Sequence, residues 1–245
     1  MNIDGDNQNL GVYLMVETVN KSFIHRNVKK DARNGDLYKI SWGSGEAGTF
    51  NNTDNRLFGI ESQTKNGNGT FGHKNYTYDL KTNKTTSNHM TFKAFISTIA
   101  DSNFHGGDSY AFMQSNSVYD EFISYAAGAY LCGDPDDLRG NGNNTYVYFA
   151  NVNGTSQIVF IPTDNDRSFG SDGGGQNPTG SHGAKVSPFA DTTGYYGYSN
   201  ICNLFAKTVV SSNSKDIRLD YLKKIKSIKT IPPEIIDKTT YIESI

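Results

Sequence analysis

Acidic side chains gather at two points in this sequence, with an asparagine between them. Asp134-Pro135-Asp136-Asp137 follows a helical apolar pattern. Asp164-Asn165-Asp166 follows the apolar run 158–162, and Asn144 stands just before an aromatic run. Carboxylate and amide oxygens at rigid strand ends can chelate a divalent cation beside phosphate oxygens. A further carboxylate can accept a hydrogen bond from a hydroxyl and orient it for attack. These residue types, in this order, point to phosphoryl transfer. Asp164, Asn144 and Asp166 are the candidate metal ligands, and one of Asp136, Asp134 and Asp137 the candidate base.

Each cluster also has a plainer reading. Asp164 and Asp166 could cap backbone amides in a turn, or form the Asp-x-Asp metal site of a nucleotide-sugar transferase. The 134–137 cluster could be a solvated turn or a calcium loop. An EF-hand fails, because Leu138 and Arg139 occupy the third-ligand and glycine positions.

Lys39 lies in the strand-like run DLYKISW, on the opposite face from Tyr38, Ile40 and Trp42. Glu17 lies in a second strand-like run, VYLMVETV. A Lys39–Glu17 pair across a small sheet would aim an ammonium at nucleotide phosphates; the alternative is an exposed ion pair of little energetic weight. Residues 43–48 match G-x-G-x-x-G, but no periodic helix follows, so the match reads as a flexible loop rather than a dinucleotide site. The five histidines show no metal spacing, and no G-x-S-x-G elbow supports a serine hydrolase.

The 245 residues allow one large domain or two small lobes, and 36% hydrophobic with 20% charged residues fits a globular protein. A net charge of -2 gives no global pull toward nucleic acid or an anionic membrane surface. No apolar run reaches the roughly 18 residues of a spanning helix. Cys132 and Cys202 lack metal-type spacing and allow one disulfide or two free thiols. The opening MNIDGDNQNLGVY reads as a hairpin entered midway, which predicts a nucleotide lobe truncated at its N-terminus.

Periodicity places strands at 12–19 and 36–42, antiparallel to each other, and a short helix at 22–28. Residues 43–75 read as a long loop, and 78–84 as a polar link. Ser87 or Asn88 caps a helix that buries Phe92, Phe95, Ile96 and Ile99. Gly106-Gly107 reads as a break. A second helix, 118–131, buries Phe122, Ile123, Ala126, Ala127 and Tyr130. Strands at 146–150 and 158–162 form a hairpin around Asn153-Gly154. Residues 171–187 read as a glycine-rich loop, and 199–210 and 216–228 as closing helices. Strands, then helices, then an acid-bearing hairpin give an α+β fold: a small β-rich lobe (1–80) and a larger, mainly helical lobe (81–245) facing a cleft.

Four segments resemble the CotH kinase family. NIDGDNQNLGVYLMVETVNKSF is similar to its NG…G-x-Y-x-x-x-E element, and GDLYKI to its Tyr-Lys strand. LCGDPDDLRGNGNNTYVYF is similar to its acidic loop with N-N-Y-Y-L-Y, and FIPTDNDRSFG to its P-W-D-x-D-x-s-F-G motif. The last also resembles the Asp-Phe-Gly loop of protein kinases. Thr163 and Thr145 stand where the family carries aromatic residues. The resemblance implies an atypical protein-kinase-like fold that binds ATP with Mg²⁺ or Mn²⁺ and phosphorylates Ser or Thr of coat or extracellular proteins. It implies a place in a spore coat, at a cell surface or outside the cell. It puts the catalytic Asp in the acidic loop, with Asp136 matched by spacing from Asn144 and with Asp134 and Asp137 as rivals. Asn144, Asp164 and Asp166 match the metal-binding positions, and Glu17 and Lys39 match positions near the nucleotide lobe. A non-catalytic coat or surface scaffold is the rival expectation.

Overall fold

The computed structural model describes residues 2–3, 6–7, 17–41, 43–44, 46–65, 69, 76–134, 136–140, 142–152, 154–165, 168, 187–189 and 202–229. A two-stranded pair, β1 (Asn2–Ile3) and β2 (Asp6–Asn7), opens the chain. Helix α1 (Lys21–Asn27) follows, capped by Asn20, whose Oδ1 accepts the Ser22 and Phe23 amides at 2.8 and 3.1 Å. The five-stranded sheet has the order β4 (Phe58–Gly59), β5 (Tyr78–Leu80), β3 (Asp36–Ile40), β6 (Thr145–Val152), β7 (Thr155–Pro162). Only β4 and β5 are parallel. The helices are α2 (Met90–Ala100), α3 (Gly106–Asn116), α4 (Tyr119–Cys132), α5 (Asn203–Phe205), which runs into a π-helical turn (Ala206–Val210), and α6 (Lys215–Lys229).

Register sorts the side chains. Tyr38, Ile40, Tyr78, Leu80, Val147, Phe149, Ile158 and Phe160 face the helices and form one continuous core with α2, α4 and α6. Phe92 is the hub, its ring centroid 4.9 Å from Tyr38, 4.8 Å from Tyr78 and 5.0 Å from Phe149. Burying such a ring completely stabilises the fold by about 1.5–3 kcal/mol. On the opposite face Leu37, Tyr148 and Ala150 pack under Ile24 of α1 and Ala32.

The α+β class holds, and so do the buried faces expected of α2 and α4. Several expectations are corrected. β3 pairs with β5 and β6, not with residues 12–19; residues 12–16 lie outside the described residues, and 17–19 form no strand. Strands on both sides of residue 80 therefore share one sheet. Residues 78–80 are a buried inner strand, because Tyr78 and Leu80 fill the core while Asp79 is satisfied on the other face by Lys81 and the Glu61 amide. Residues 46–65 are a packed connection holding β4 and buried Phe50, Leu57 and Phe58. Gly106-Gly107 starts α3 rather than breaking the chain, since Ser214 Oγ accepts the Gly106 amide at 3.0 Å. Residues 171–186 lie outside the described residues. Cys132 and Cys202 are both free thiols. Among the described residues, no helix is long and apolar enough to cross a membrane.

Candidate active site at the end of the β6–β7 hairpin

Helix α4 stops at Gly133, whose φ of 70° is open to a residue without a Cβ. The Gly133 amide returns to Tyr130 O and the Asp134 amide to Ala129 O, a Schellman ending that launches the acidic loop at a fixed angle. Two Asx turns then shape that loop. Asp134 Oδ1 accepts the Asp136 amide at 3.0 Å, and Asp137 Oδ1 accepts the Arg139 amide at 2.7 Å.

The three acids divide by environment. Asp137 is wholly buried; its Oδ2 takes Arg139 Nε at 2.8 Å, and its carbonyl takes the Gly140 and Gly142 amides. Arg139, also buried, reaches back to the carbonyl of Asp134. Asp134 is 1% exposed, and none of the described residues bonds its Oδ2. Burial, then the charge of Asp137, push its carboxyl up to about 6. Asp136, at 7%, is the most accessible of the three. Its Oδ2 accepts Asn143 Nδ2 and Asn144 Nδ2, each at 3.1 Å.

Asn144 joins the two acidic segments. Its Nδ2 also donates to the carbonyl of Asp164 at 3.2 Å, and its carbonyl accepts the Thr163 amide at 2.9 Å. Both Asn144 and Asp164 adopt left-handed backbone, with φ of 50° and 55°. Non-glycine residues are uncommon there, Asn and Asp least so, and such strain concentrates at functional sites. Because both partners of the Asn144 side chain are acceptors, its nitrogen must face them, which leaves Oδ1 on the other side. Among the described residues nothing donates to Asn144 Oδ1 or to the exposed carboxylate of Asp164.

Three further groups hold this arrangement. The Tyr125 hydroxyl of α4 accepts the Leu138 amide at 3.4 Å and donates to Thr145 Oγ1 at 2.9 Å. Thr145 Oγ1 in turn donates to the Asn143 carbonyl at 3.0 Å. Burial raises the Tyr125 hydroxyl well above its ordinary range, so it stays a donor. Gly142, at φ 74°, packs so tightly on Gly48 that a Cβ there would lie 2.0 Å from the Gly48 carbonyl oxygen. Gly48, the last residue of the segment read as a flexible loop, thus packs against the acidic loop.

Lys39 lies at the same end of the sheet. It pairs in register with Asp79 and Tyr146, one residue from the Ile40–Thr145 pair and two from Asn144. The expected Glu17–Lys39 pair is not formed: Glu17 lies off the sheet and is salt-bridged to Arg26 of α1. Lys39 instead acts on Glu61, whose carboxyl is raised by burial and by Asp79 and lowered by Lys81 and Lys39. Among the described residues Lys39 forms no ion pair of its own. Asp166 lies outside the described residues, among which no three carboxylate, imidazole or thiol side chains converge as a metal cluster.

The structure therefore brings Asp136, Asn144 and Asp164 together, assigns Asp137 to a buried ion pair and seals Asp134. Sequence reasoning missed Arg139, Tyr125, Asn143 and Gly142. Only Gly142, within the tract G-N-G-N-N, carried a local signal. A family model described as CotH kinase protein matches residues 1–243 of the chain. No curated protein matches it.

Proposed function

The chain belongs to the CotH kinase family, and from that premise we propose that it transfers the terminal phosphoryl group of ATP, with Mg²⁺, to Ser or Thr hydroxyls of a coat or secreted protein. One observation supports this reading above the rest: a single amide, that of Asn144, ties the accessible acid Asp136 to the Asp164 backbone at the strand end. Phosphoryl transfer needs an acid near the acceptor hydroxyl and hard oxygen donors beside it, held rigidly.

The residues present fit Mg²⁺. Asn144 Oδ1 and the Asp164 carboxylate are hard oxygen donors without hydrogen-bond donors among the described residues, and Asp164 is exposed. When bound, Mg²⁺ would neutralise phosphate charge and align the phosphates. The chain's own residues do the rest. Asp136, fixed by the Asn143 and Asn144 amides, would accept a hydrogen bond from the acceptor hydroxyl and hold it for attack. Lys39, at the neighbouring strand end, would place its ammonium toward the phosphates. Arg139 and Tyr125 would keep the loop from shifting.

Incubation with labelled ATP, Mg²⁺ and a Ser-rich acceptor protein tests the reading. Asp136→Asn and Asp164→Asn should each lower transfer by about 10²–10⁴-fold. Transfer by the wild-type chain that neither substitution alters would reject the assignment.

A further inference from the structure

Helix α6 is basic out of proportion to the chain. It carries six Lys and Arg against two Asp, a net charge of +4, where the whole chain carries -2. Its inner stripe is apolar: Ile217 and Tyr221 are wholly buried, and Ile225 packs against the same core. On the side toward α4, Lys224 Nζ reaches Asp120 Oδ1 at 2.7 Å, and Asp220 Oδ2 accepts the Tyr119 hydroxyl at 3.1 Å.

The remaining stripe is different. Lys215, Arg218, Leu219 and Leu222 follow the i, i+3, i+4, i+7 spacing of one helix face, and Lys226 continues it. Of the four large hydrophobic side chains exposed among the described residues, three lie on α6. Leu219 and Leu222, 51% and 40% exposed, are neighbours on this stripe. Beside them opens a slot of about 370 Å³, closed on its other side by Phe189. The Arg218 guanidinium lies 3.8 Å over the Phe189 ring, and its Nη1 donates to the Val210 carbonyl at 3.2 Å. Among the described residues no carboxylate pairs with Arg218 or Lys215.

Adjacent exposed leucines with a cationic rim mark an interaction surface, and charge selects the occupant. A second copy brings the wrong sign: across a two-fold axis, Lys215 and Arg218 would meet their own counterparts. An anionic lipid surface matches the sign, but a flat surface leaves the slot unfilled. A chain segment with carboxylates around one apolar side chain satisfies both the slot and its rim, and an arginine already held against an aromatic ring loses little freedom on pairing.

We propose that this face of α6 docks an acidic segment of another protein, with one apolar side chain in the slot between Phe189 and Leu222 and carboxylates on Lys215 and Arg218. None of these residues belongs to the candidate active site, so the proposal goes beyond the transferase reading and holds or fails apart from it.

Fluorescence polarisation on the full chain tests it with the labelled peptide Asp-Glu-Asp-Leu-Glu-Asp-Phe-Glu-Asp. The wild type should bind it, more weakly as salt rises. Leu222→Ser should weaken binding at least tenfold and Lys215→Glu at least fivefold, while Asp136→Asn binds as the wild type does. Both altered side chains are exposed, so the fold should hold by circular dichroism; Leu219→Ser, with the same expected loss, replaces any variant that does not fold. A peptide with Ser in place of Leu and Phe should bind at least tenfold more weakly. Equal binding of the two peptides, equal binding by folded variants, or no binding by the wild type would overturn the proposal. Dimers in sedimentation that Leu222→Ser dissociates, without peptide binding, would give the face to a second copy. Co-sedimentation with phosphatidylserine vesicles, without peptide binding, would give it to a membrane surface.

Discussion

Asp136 and Asp137 are neighbours in sequence, and substitution should separate them sharply. The Asp137 carboxylate is 1% exposed and the Arg139 side chain 5%. Asp137→Asn keeps an acceptor for the Arg139 amide but removes the charge opposite a buried guanidinium. Breaking one partner of a buried pair costs about 3–5 kcal/mol. Arg139 keeps its bond to the Asp134 carbonyl, so the lower half of that range is expected. In a chain of this size, about 3–4 kcal/mol lowers Tm by about 6–16 °C. Asp136→Asn is different. Its one remaining carbonyl oxygen can still accept both the Asn143 and Asn144 amides, so stability should change by less than about 1 kcal/mol while transfer falls by about 10²–10⁴-fold. Calorimetric melting and a labelled-ATP transfer assay on both variants decide the matter. Asp137→Asn melting with the wild type, or Asp136→Asn folded and fully active, would refute the division of labour. The double substitution Asp137→Leu with Arg139→Met adds a check: replacing both charges should recover most of the loss that either single change causes.

The raised Asp134 carboxyl makes a pH prediction. A pKa near 6 in the folded chain lies above the unfolded value, so folding favours the protonated form. Its contribution is complete below about pH 4 and is lost as pH rises through 6. Asp134→Asn should therefore stabilise the chain by about 1–3 kcal/mol at pH 7.5 and by almost nothing at pH 4, read from urea midpoints at the two pH values. Gly142→Ala adds a Cβ 2.0 Å from the Gly48 carbonyl at φ 74°, so melting should fall by at least the equivalent of about 2 kcal/mol. Tyr125→Phe removes the bonds to Leu138 and Thr145 and should cost about 1–3 kcal/mol. It should also lower the transfer rate without changing nucleotide affinity, since the loop loosens and the metal-side oxygens stay in place.

What was legible in the sequence follows from the range of the forces involved. The α2 and α4 faces and the β6–β7 hairpin follow from local periodicity, and Gly154 at φ 81° matches the turn that Asn153-Gly154 announces. β5 was illegible because only three residues pair, and Asp79 breaks the apolar run; its burial depends on Lys81 and on an amide eighteen residues away in sequence. α3 was illegible because its start depends on Ser214, 108 residues later. The acids of the candidate site were visible by type and order. Their ranking was not, because Asp134, Asp136 and Asp137 differ only in what the fold places around them.

That ranking has a structural logic. A turn that holds one carboxylate near the surface needs its own polar backbone satisfied, or the loop would sample many shapes and the acid would not stay near Asn144. Asp137 meets that need from inside: through side chain and carbonyl it accepts the amides of Arg139, Gly140 and Gly142 and the Arg139 guanidinium. Asp134 meets it from the other side by capping the Asp136 amide. Two of the three acids thus rigidify the loop that positions the third. A charge in the core is tolerated because it fixes the loop, and the resulting cost should appear as marginal stability confined to residues 133–144. Hydrogen exchange gives the direct measure. In Asp137→Asn the amides of Arg139 and Gly142 should lose protection far more than those of β6, whose ladder to β3 and β7 is untouched. Uniform loss across both would mean that the loop and the sheet unfold as one unit, and that the ion pair serves the whole core rather than the site.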